Sequence, residues 1–546
     1  MEFTLKQISA LEKIKRCDEL SFEEFTTQKA LRGERLSWQI AIKSENNITV
    51  KFSAEADFDV KLYVVKEVFA DRPVTKDFPQ ENYISKEPFF VPDVLIPLEK
   101  QQNCVSVGNY NSVVWVRADI PADLKPGKYA VKINVQTLGC EDGVDTVLLT
   151  DIDVVDEKMP EQRLIYTRWF YADCIANVHG VEIFSEEHWK LIEKYISAAT
   201  DVGINMILLP VHTPPLDTEQ GTARPCVQLV DIEKKGDKYQ FSFEKFTRFI
   251  KICKNCGVKY YEVAHMFTQW GAKHAPNIMV TENGKTDYMF GWHTDATSGE
   301  YEDFLKQYIA AIREALEKEG VAENAYFHIS DEPTEENLGQ YEKAKNIIKP
   351  LIGNSKTMDA LSNPQFCENG LVECPVAMIS HMHNFLEYNF ENQWAYYCCF
   401  PQNIYPNSFL AMPSGRVRIL GFLLYKYNVK GFLHWGFNFY NSALSRYQIN
   451  PYLTTSAEGA FPSGDGFIVY PGVGDVYSSV RGETTYRAIQ DMDLCFALEN
   501  IVGREKVVEM IDRAAGGNLR FDEYPCDTEF FEKLRTEMIE AIEKEK

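Results

Sequence analysis

Ala325-Tyr-Phe-His-Ile-Ser330 runs directly into Asp331-Glu332-Pro333, and this stretch decides how the chain is interpreted. Its alternating aromatic and apolar residues are typical of a β-strand. Pro333 cannot donate to a sheet and favours an extended Glu332, so we expect the strand to end here and a helix to follow. An acidic pair at the C-terminal end of a strand lies where α/β folds carry their chemistry. The pair also suits an ordinary helix start, with Asp331 or Thr334 as the cap.

Strand-like segments recur on both sides of this stretch, with helical patterns between most of them. The eight segments are residues 164–170, 205–210, 258–266, 325–330, 356–359, 375–380, 394–399 and 431–435. Eight strand–helix units in one continuous region predict a (β/α)8 barrel of the TIM type, and hence an α/β fold class. The doubly wound alternative needs a Gly-rich phosphate loop after an early strand, and the sequence has none there.

Three regions are predicted along the chain. Residues 1–158 carry short alternating segments separated by turn signals such as Pro126-Gly127, which predicts an N-terminal antiparallel β-sandwich. Residues 159–475 form the predicted catalytic barrel. Residues 476–546 are a predicted helical C-terminal extension packed on the barrel, ending in a charged amphipathic helix. That last helix leaves open a contact between two copies, and so a homo-oligomer.

Composition narrows the classes of partner. The formal net charge of -23 argues against nucleic acid and against an anionic membrane surface. No run of 18 apolar residues and no N-terminal apolar signal region are visible, so a cytoplasmic protein is expected. The 13 scattered cysteines fit a reducing compartment, and neither Cys253-x-x-Cys256 nor His381-x-His383 is enough for a metal site. No cofactor and no metal are expected.

A barrel brings the residues just past each strand to one mouth. The residues there that we expect to bind substrate are Trp169, Asp173, His212, His265, Trp270, Asp359, His381, Tyr397, Trp435 and Asn438. The set joins rings, imidazoles and carboxylates, with hardly any Lys or Arg in its neighbourhood. It therefore disfavours phosphorylated substrates and favours a neutral polyhydroxy substrate, although any single ring would also suit the core.

Paired carboxylates indicate glycoside hydrolysis. In the two common schemes the carboxylates are roughly 5–5.5 or 6.5–9.5 Å apart across the scissile bond, whereas sequence neighbours have Cα atoms only about 3.8 Å apart. Neighbouring side chains diverge, so the pair suits a substrate-assisted scheme in which the sugar's own 2-acetamido oxygen attacks the anomeric carbon. Glu332 would be the general acid/base, and Asp331 would orient the acetamido N–H and stabilise the developing positive charge.

Two other interpretations stay open. A retaining or inverting glycosidase on a non-acetamido sugar would use a separate carboxylate, Asp359 or Asp173, opposite Glu332. A barrel that only binds carbohydrate would need no turnover at all.

Residues 327–333, Phe-His-Ile-Ser-Asp-Glu-Pro, resemble the active-site strand of glycoside hydrolase family 123 and of its relatives in the bacterial domain family of unknown function 4091. Residues 431–438, 465–472 and 479–491 are similar to that family's last barrel strand, characteristic loop and following helix. The resemblance implies a retaining, exo-acting β-N-acetylgalactosaminidase, with Glu332 as acid/base and Asp331 as the acetamido-orienting carboxylate. The implied substrate is an oligosaccharide or glycoconjugate with a terminal N-acetylhexosamine.

Overall fold

Two β-sheets, called the front sheets below, contain the strands of residues 3–158. The computed structural model describes residues 3–75, 82–139, 143, 145–269, 271–332, 335–361, 363–364 and 372–545. The larger sheet runs, in spatial order, Phe3–Ser9, Arg35–Ser44, Ser112–Asp119, Asp59–Ala70, Phe89–Pro97, Asp475–Ser479 and Tyr470–Gly472. The smaller sheet runs Thr27–Arg32, Asp145–Lys158, Gly127–Leu138, Ile48–Glu55 and Cys104–Val107.

The two sheets share one apolar core, because their strands alternate between inward and outward residues. Strand Ile48–Glu55, for example, buries Ile48, Val50 and Phe52 and exposes the residues between them. These side chains pack with Trp38 and Val114 of the larger sheet. Pairing is antiparallel except where Asp145–Lys158 runs parallel to Thr27–Arg32. That parallel pair departs from the purely antiparallel arrangement that the sequence predicts.

The eight predicted strands of the second region are all present, and they close into a barrel. We number them barrel strands 1 to 8: Ile165–Arg168, Met206–Leu209, Tyr260–Val263, Ala325–Phe327, Lys356–Leu361, Cys374–Met378, Trp394–Tyr396 and Gly431–His434. Every neighbouring pair is parallel, including the closing pair of strands 1 and 8. The predicted mixed α/β class with an eight-stranded parallel barrel is therefore confirmed.

Helices connect most of the barrel strands. The helices of the described chain are Ala172–His179, Glu186–Asp201, Glu244–Asn255, Gly299–Lys318, Leu338–Ile352, Met382–Leu386, Ser414–Arg418, Leu420–Lys426, Val480–Val502, Arg504–Ala514 and Thr528–Glu545. Ser185 caps helix Glu186–Asp201, since its side chain accepts a hydrogen bond from the His188 N–H. After barrel strand 6 only a short helix, Met382–Leu386, follows. Residues 365–371, after strand 5, lie outside the described chain.

A separate four-stranded sheet is formed by the loops that follow barrel strands 2 and 3. Its spatial order is Lys238–Ser242, Asp231–Lys235, Ile278–Glu282 and Lys285–Phe290. These four strands are not among the strands that the sequence predicts. Each is five or six residues long, which leaves few positions to show an alternating pattern, and each buries at most two side chains.

The C-terminal helices connect the barrel to the front sheets. Strand Asp475–Ser479 pairs with Phe89–Pro97, and helix Val480–Val502 starts directly after it. Arg481 on that helix is fully buried, as is Asp93, and the guanidinium Nε donates to Asp93 Oδ2 at 2.9 Å. Its other nitrogens donate to backbone carbonyls of Ser408 and Phe467. One buried cation thus connects the front sheet to the loops of the barrel.

Candidate active site

Asp331 and Glu332 lie past the end of barrel strand 4, beyond the non-strand segment His328 to Ser330. Asp331 is 5% exposed, and Glu332 is half-buried. Glu332 has a φ of +43°, in the left-handed region that non-glycine residues rarely adopt. The expectation of an extended Glu332 is therefore wrong. The turn at this residue sends the two neighbouring carboxyl groups into different surroundings.

Asp331 is held by a glutamine of the neighbouring strand end. Gln269 Nε2 donates to Asp331 Oδ2 at 2.8 Å. Burial, and then the neighbouring Glu332 carboxylate, raise the pKa of Asp331 to about 7, against the opposing effects of the Gln269 hydrogen bond and of His328. Asp331 is therefore partly protonated near neutral pH, because its ionisation beside the Glu332 carboxylate is unfavourable.

Glu332 meets a tyrosine from the other side of the mouth. The hydroxyl of Tyr396, the last residue of barrel strand 7, donates to Glu332 Oε1 at 3.0 Å. Burial, and then the Glu332 charge, raise the pKa of Tyr396 well above 10. The phenol therefore stays protonated and remains a hydrogen-bond donor.

A buried histidine between two carboxylates lies directly before the acidic pair. His328 Nδ1 is 3.1 Å from Asp359 Oδ1, and its Nε2 contacts Glu262 Oε1. Burial would lower the pKa of His328, but the Glu262 and Asp359 carboxylates raise it to about 10. His328 is thus an imidazolium at neutral pH. Its positive charge compensates the two buried carboxylates and lowers the pKa of Asp331.

Asp359 and Glu262 are each held by several donors. Asp359 also accepts from the Ile329 N–H at 3.2 Å and from the Tyr341 hydroxyl. Glu262, in barrel strand 3, also accepts from Trp169 Nε1 at 2.6 Å and from the Thr167 hydroxyl at 2.9 Å. Burial raises the pKa of Asp359, but three donors favour its ionised form. Trp169 and Asp359, both predicted substrate-binding residues, therefore meet at one buried ionic cluster.

His265 and His212 continue this cluster along the strand ends. The His265 ring stacks on His328, with centroids 4.0 Å apart and planes 16° apart. Burial, followed by the charge of His328, lowers the pKa of His265 well below 6.5, so this ring is neutral. Among the described residues neither of its nitrogens has a hydrogen-bond partner. His212 contacts the His265 carbonyl oxygen through Nε2 at 2.9 Å.

Trp435 and Tyr397 lie on the side of the mouth formed by barrel strands 7 and 8. Trp435 is half-buried, and its Nε1 donates to Asp465 Oδ2 at 2.9 Å. Tyr397 packs edge-on against His434, with centroids 5.3 Å apart. Burial raises the pKa of Asp465 to about 7. The Trp435 indole is thereby fixed by its N–H while part of its surface remains exposed.

The side chains of Asp173 and Asn438 are buried and bond to other residues of the protein. Both Asp173 oxygens accept from Arg224 NH1 at 3.2 Å, and both residues of this ion pair are buried. Asn438 pairs with the backbone of Tyr171, accepting from its N–H at 2.9 Å and donating to its carbonyl at 3.0 Å. Asn438 thus holds the segment after barrel strand 1 against the segment after strand 8, and the Asp173–Arg224 pair holds it against the segment after strand 2.

The remaining predicted residues lie at the margin. His381 is half-exposed on the 3₁₀ turn Ile379–His381 after barrel strand 6, with its Nδ1 3.3 Å from the Ser380 hydroxyl. Trp270 lies outside the described residues. Within the described chain, no group of three or more His, Cys, Asp or Glu side chains could hold a metal ion, and no helix is long and apolar enough to cross a membrane.

Four residues of the site were not on the predicted list: Glu262, His328, Gln269 and Tyr396. Glu262 and His328 had a detectable signal, because each is a polar residue inside an otherwise apolar barrel strand or its direct extension. A buried charge needs a partner, so such residues are expected to meet one another. Gln269 and Tyr396 gave no such signal beyond lying at strand ends.

Comparison with known proteins agrees with this geometry. The family model described as the catalytic domain of glycoside hydrolase 123 matches residues 169–498. A solved family 123 glycoside hydrolase from Clostridium perfringens is 16% identical, with all of this chain aligned to 98% of that one at a TM-score of 0.74. A β-glucuronidase from Parabacteroides merdae is 9% identical, with 90% of this chain aligned to 52% of that one at a TM-score of 0.31. No curated protein matches the chain.

Proposed function

The chain belongs to glycoside hydrolase family 123, and from that membership we propose that it is a retaining, exo-acting β-N-acetylgalactosaminidase that works by substrate assistance. The observation that supports this most is that two adjacent carboxyl groups have different burial and different hydrogen-bond partners. Asp331 is buried and held by Gln269, whereas Glu332 is turned towards Tyr396. One carboxyl group is thus suited to orienting a substrate group and the other to proton transfer.

In the first step the acetamido carbonyl oxygen of the bound sugar attacks C1. The bond between C1 and the glycosidic oxygen breaks, and Glu332 gives its proton to the departing oxygen. Asp331 accepts a hydrogen bond from the acetamido N–H and stabilises the positive charge of the oxazolinium intermediate.

In the second step a water attacks C1 on the face that the leaving group has vacated. Glu332, now a carboxylate, takes a proton from this water, and the bond between C1 and the acetamido oxygen breaks. The acetamido group is restored, and two displacements at C1 give net retention.

The acidic pair must hold its proton on Glu332 when substrate is bound. In the free protein burial and the Glu332 carboxylate raise the pKa of Asp331 to about 7, so Asp331 is partly protonated near neutral pH. The acetamido N–H adds a donor to Asp331, and donation to a carboxylate favours its ionised form. Binding of the acetamido group therefore moves the proton from Asp331 towards Glu332, so only an acetamido sugar prepares the acid.

The other predicted residues divide into two roles in this proposal. Trp435 and His381, both half-buried, lie where they can meet the sugar, with the exposed part of the Trp435 indole available for stacking. We assign a supporting role to the more deeply buried residues, which are Trp169, Asp173, His212, His265, Asp359, Tyr397 and Asn438. Asp359 already forms an ion pair with His328, and Asp173 forms one with Arg224. These pairs argue against either carboxylate as a separate nucleophile.

The test is release of nitrophenol from β-linked N-acetylgalactosaminide, N-acetylglucosaminide, galactoside and glucoside. We expect turnover of the acetamido sugars only, with N-acetylgalactosaminide preferred, and loss of turnover in Glu332→Gln and Asp331→Asn. Inhibition by a thiazoline analogue would support substrate assistance. Turnover of the plain galactoside, or a glycosyl-enzyme trapped by a 2-fluoro sugar, would refute it. Sugar binding that survives loss of both carboxylates, without turnover of natural glycans, would indicate a binding protein instead.

A further inference from the structure

Gln269 occupies a position between two fixed partners, and the inference drawn from it rests on the proposed function. Its Oε1 accepts from the Asp217 backbone N–H at 2.6 Å, and its Nε2 donates to Asp331 Oδ2 at 2.8 Å. A backbone N–H can only donate, so the amide oxygen must lie at the Asp217 end. The amide nitrogen must then face Asp331, and the orientation of the Gln269 side chain is determined.

Asp217 is in turn held by the loop after barrel strand 8. Its carboxylate accepts from the Leu444 N–H at 3.1 Å, and its carbonyl oxygen accepts from the Ser445 hydroxyl at 2.7 Å. Asp217 follows barrel strand 2, Gln269 follows strand 3 and Asp331 follows strand 4. One chain of hydrogen bonds therefore joins four strand ends and terminates on Asp331.

The two carboxylate oxygens of Asp331 therefore differ in their hydrogen bonding. Oδ2 accepts from Gln269, and Oδ1 has no hydrogen-bond partner among the described residues. The charged and titratable groups that act on this carboxyl are Glu332, His328, Asp359 and Tyr396. None of these four groups has a hydrogen bond to Asp331 among the described residues, whereas Gln269 fixes Oδ2 by an N–H donor.

We propose that Gln269 is a positioning residue for the reaction. It leaves Oδ1 of Asp331 for the acetamido N–H and favours the ionised form of Asp331 by donating to Oδ2. Gln269 touches no reacting atom in this scheme and acts through Asp331 alone. Its loss is therefore expected to matter for acetamido recognition and for the protonation of the pair, and not for binding of the rest of the sugar.

The first measurement is the pH dependence of kcat/KM for nitrophenyl β-N-acetylgalactosaminide in Gln269→Met, which keeps the length of the side chain and removes the donor. Loss of one hydrogen bond to a charged group moves the acid limb upward by about one pH unit. On that limb kcat/KM falls about tenfold, and well above it the change is small. Gln340→Met is the matched control, since Gln340 is also half-buried and, among the described residues, its amide donates to the Ala272 carbonyl and not to a carboxylate.

The second measurement is binding, which does not need turnover. In Gln269→Met the affinity for a thiazoline analogue of N-acetylgalactosamine should fall about tenfold. Affinity for a galactose-configured iminosugar without an acetamido group should be unchanged. An unmoved acid limb, a loss of kcat/KM equal at every pH, or equal weakening of both inhibitors would overturn the proposal. Wild-type protein that neither turns over acetamido sugars nor binds the thiazoline would instead refute the proposed function.

Discussion

The buried cluster around His328 makes the stability of this protein depend on pH in a predictable direction. The double substitution Glu262→Gln with Asp359→Asn keeps the shape of both side chains and removes both negative charges. His328, still buried, then loses what raises its pKa and stays neutral above pH 6.5. In the wild type it keeps its proton up to about pH 10.

The sign and size follow from linkage. A folded-state pKa of about 10 lies above the ordinary 6.5, so the stabilisation from His328 protonation is fully present below about pH 6.5 and is lost as pH rises towards 10. Between these limits the wild-type unfolding free energy loses about 1.4 kcal/mol per pH unit relative to the variant. From pH 7 to pH 9 the difference between the two proteins should therefore change by about 3 kcal/mol.

Urea unfolding at pH 7, 8 and 9, followed by circular dichroism, measures this difference. His212→Asn is the matched control, because burial lowers the pKa of His212 to about 4, so the ring is neutral in the folded protein and largely neutral in the unfolded chain throughout this range. The wild-type minus control difference should stay flat. Parallel pH profiles for the wild type and the double variant would refute an imidazolium at His328.

Three further predictions concern single substitutions. Tyr396→Phe removes a donor to the acid/base carboxyl, and kcat/KM for the acetamido aryl glycoside should fall about tenfold with little change in melting temperature; an unchanged kcat/KM would contradict this. Asp93→Asn leaves the buried Arg481 without its counter-ion and should cost about 3–5 kcal/mol in urea unfolding; a loss below 1 kcal/mol, roughly that of an exposed pair, would count against it. Gly421→Ala would place a Cβ 1.9 Å from a backbone carbonyl oxygen of the facing helix and should lower the free energy of unfolding by at least about 1–3 kcal/mol. Gly299→Ala is the control, because a Cβ there meets open space and should not destabilise the protein. Equal effects of the two substitutions would show that the helices can move apart.

The barrel could be predicted because its signal is repeated. Each strand is a short apolar run, each is followed within one loop by another element, and the count of eight restricts the architecture. The strand ends were harder to place. Barrel strand 4 keeps ladder pairing only over Ala325–Phe327, and residues 328–330 leave the ladder although their hydrophobic pattern continues. Hydrogen bonds to side chains such as Asp359 replace the ladder there, and a pattern of residue types does not contain that information.

The ionic cluster of Glu262, His328 and Asp359 could be predicted from the sequence only in part. A glutamate inside strand Tyr260–Val263 and a histidine just past strand 4 both face a barrel interior, and burial forces charged groups to pair. That argument predicts a pairing but not the partners, because it requires the register between strands. The register places Glu262 opposite Tyr326, two residues before His328. The four-stranded sheet was missed for a different reason, since each of its strands is five or six residues long and buries at most two side chains.

A backbone torsion explains how two adjacent carboxyl groups can take different roles. In an extended segment Glu332 would point away from Asp331 on the opposite side of the strand, and a barrel wall would separate the two groups. The left-handed φ of +43° turns the chain instead, so that Glu332 reaches the Tyr396 hydroxyl while Asp331 stays buried against Gln269. Such a conformation costs on the order of 1–3 kcal/mol and persists only where the surroundings fix it. Both carboxyl groups are so fixed, and the strain therefore lies at the point where one group must orient the substrate and the other must transfer a proton.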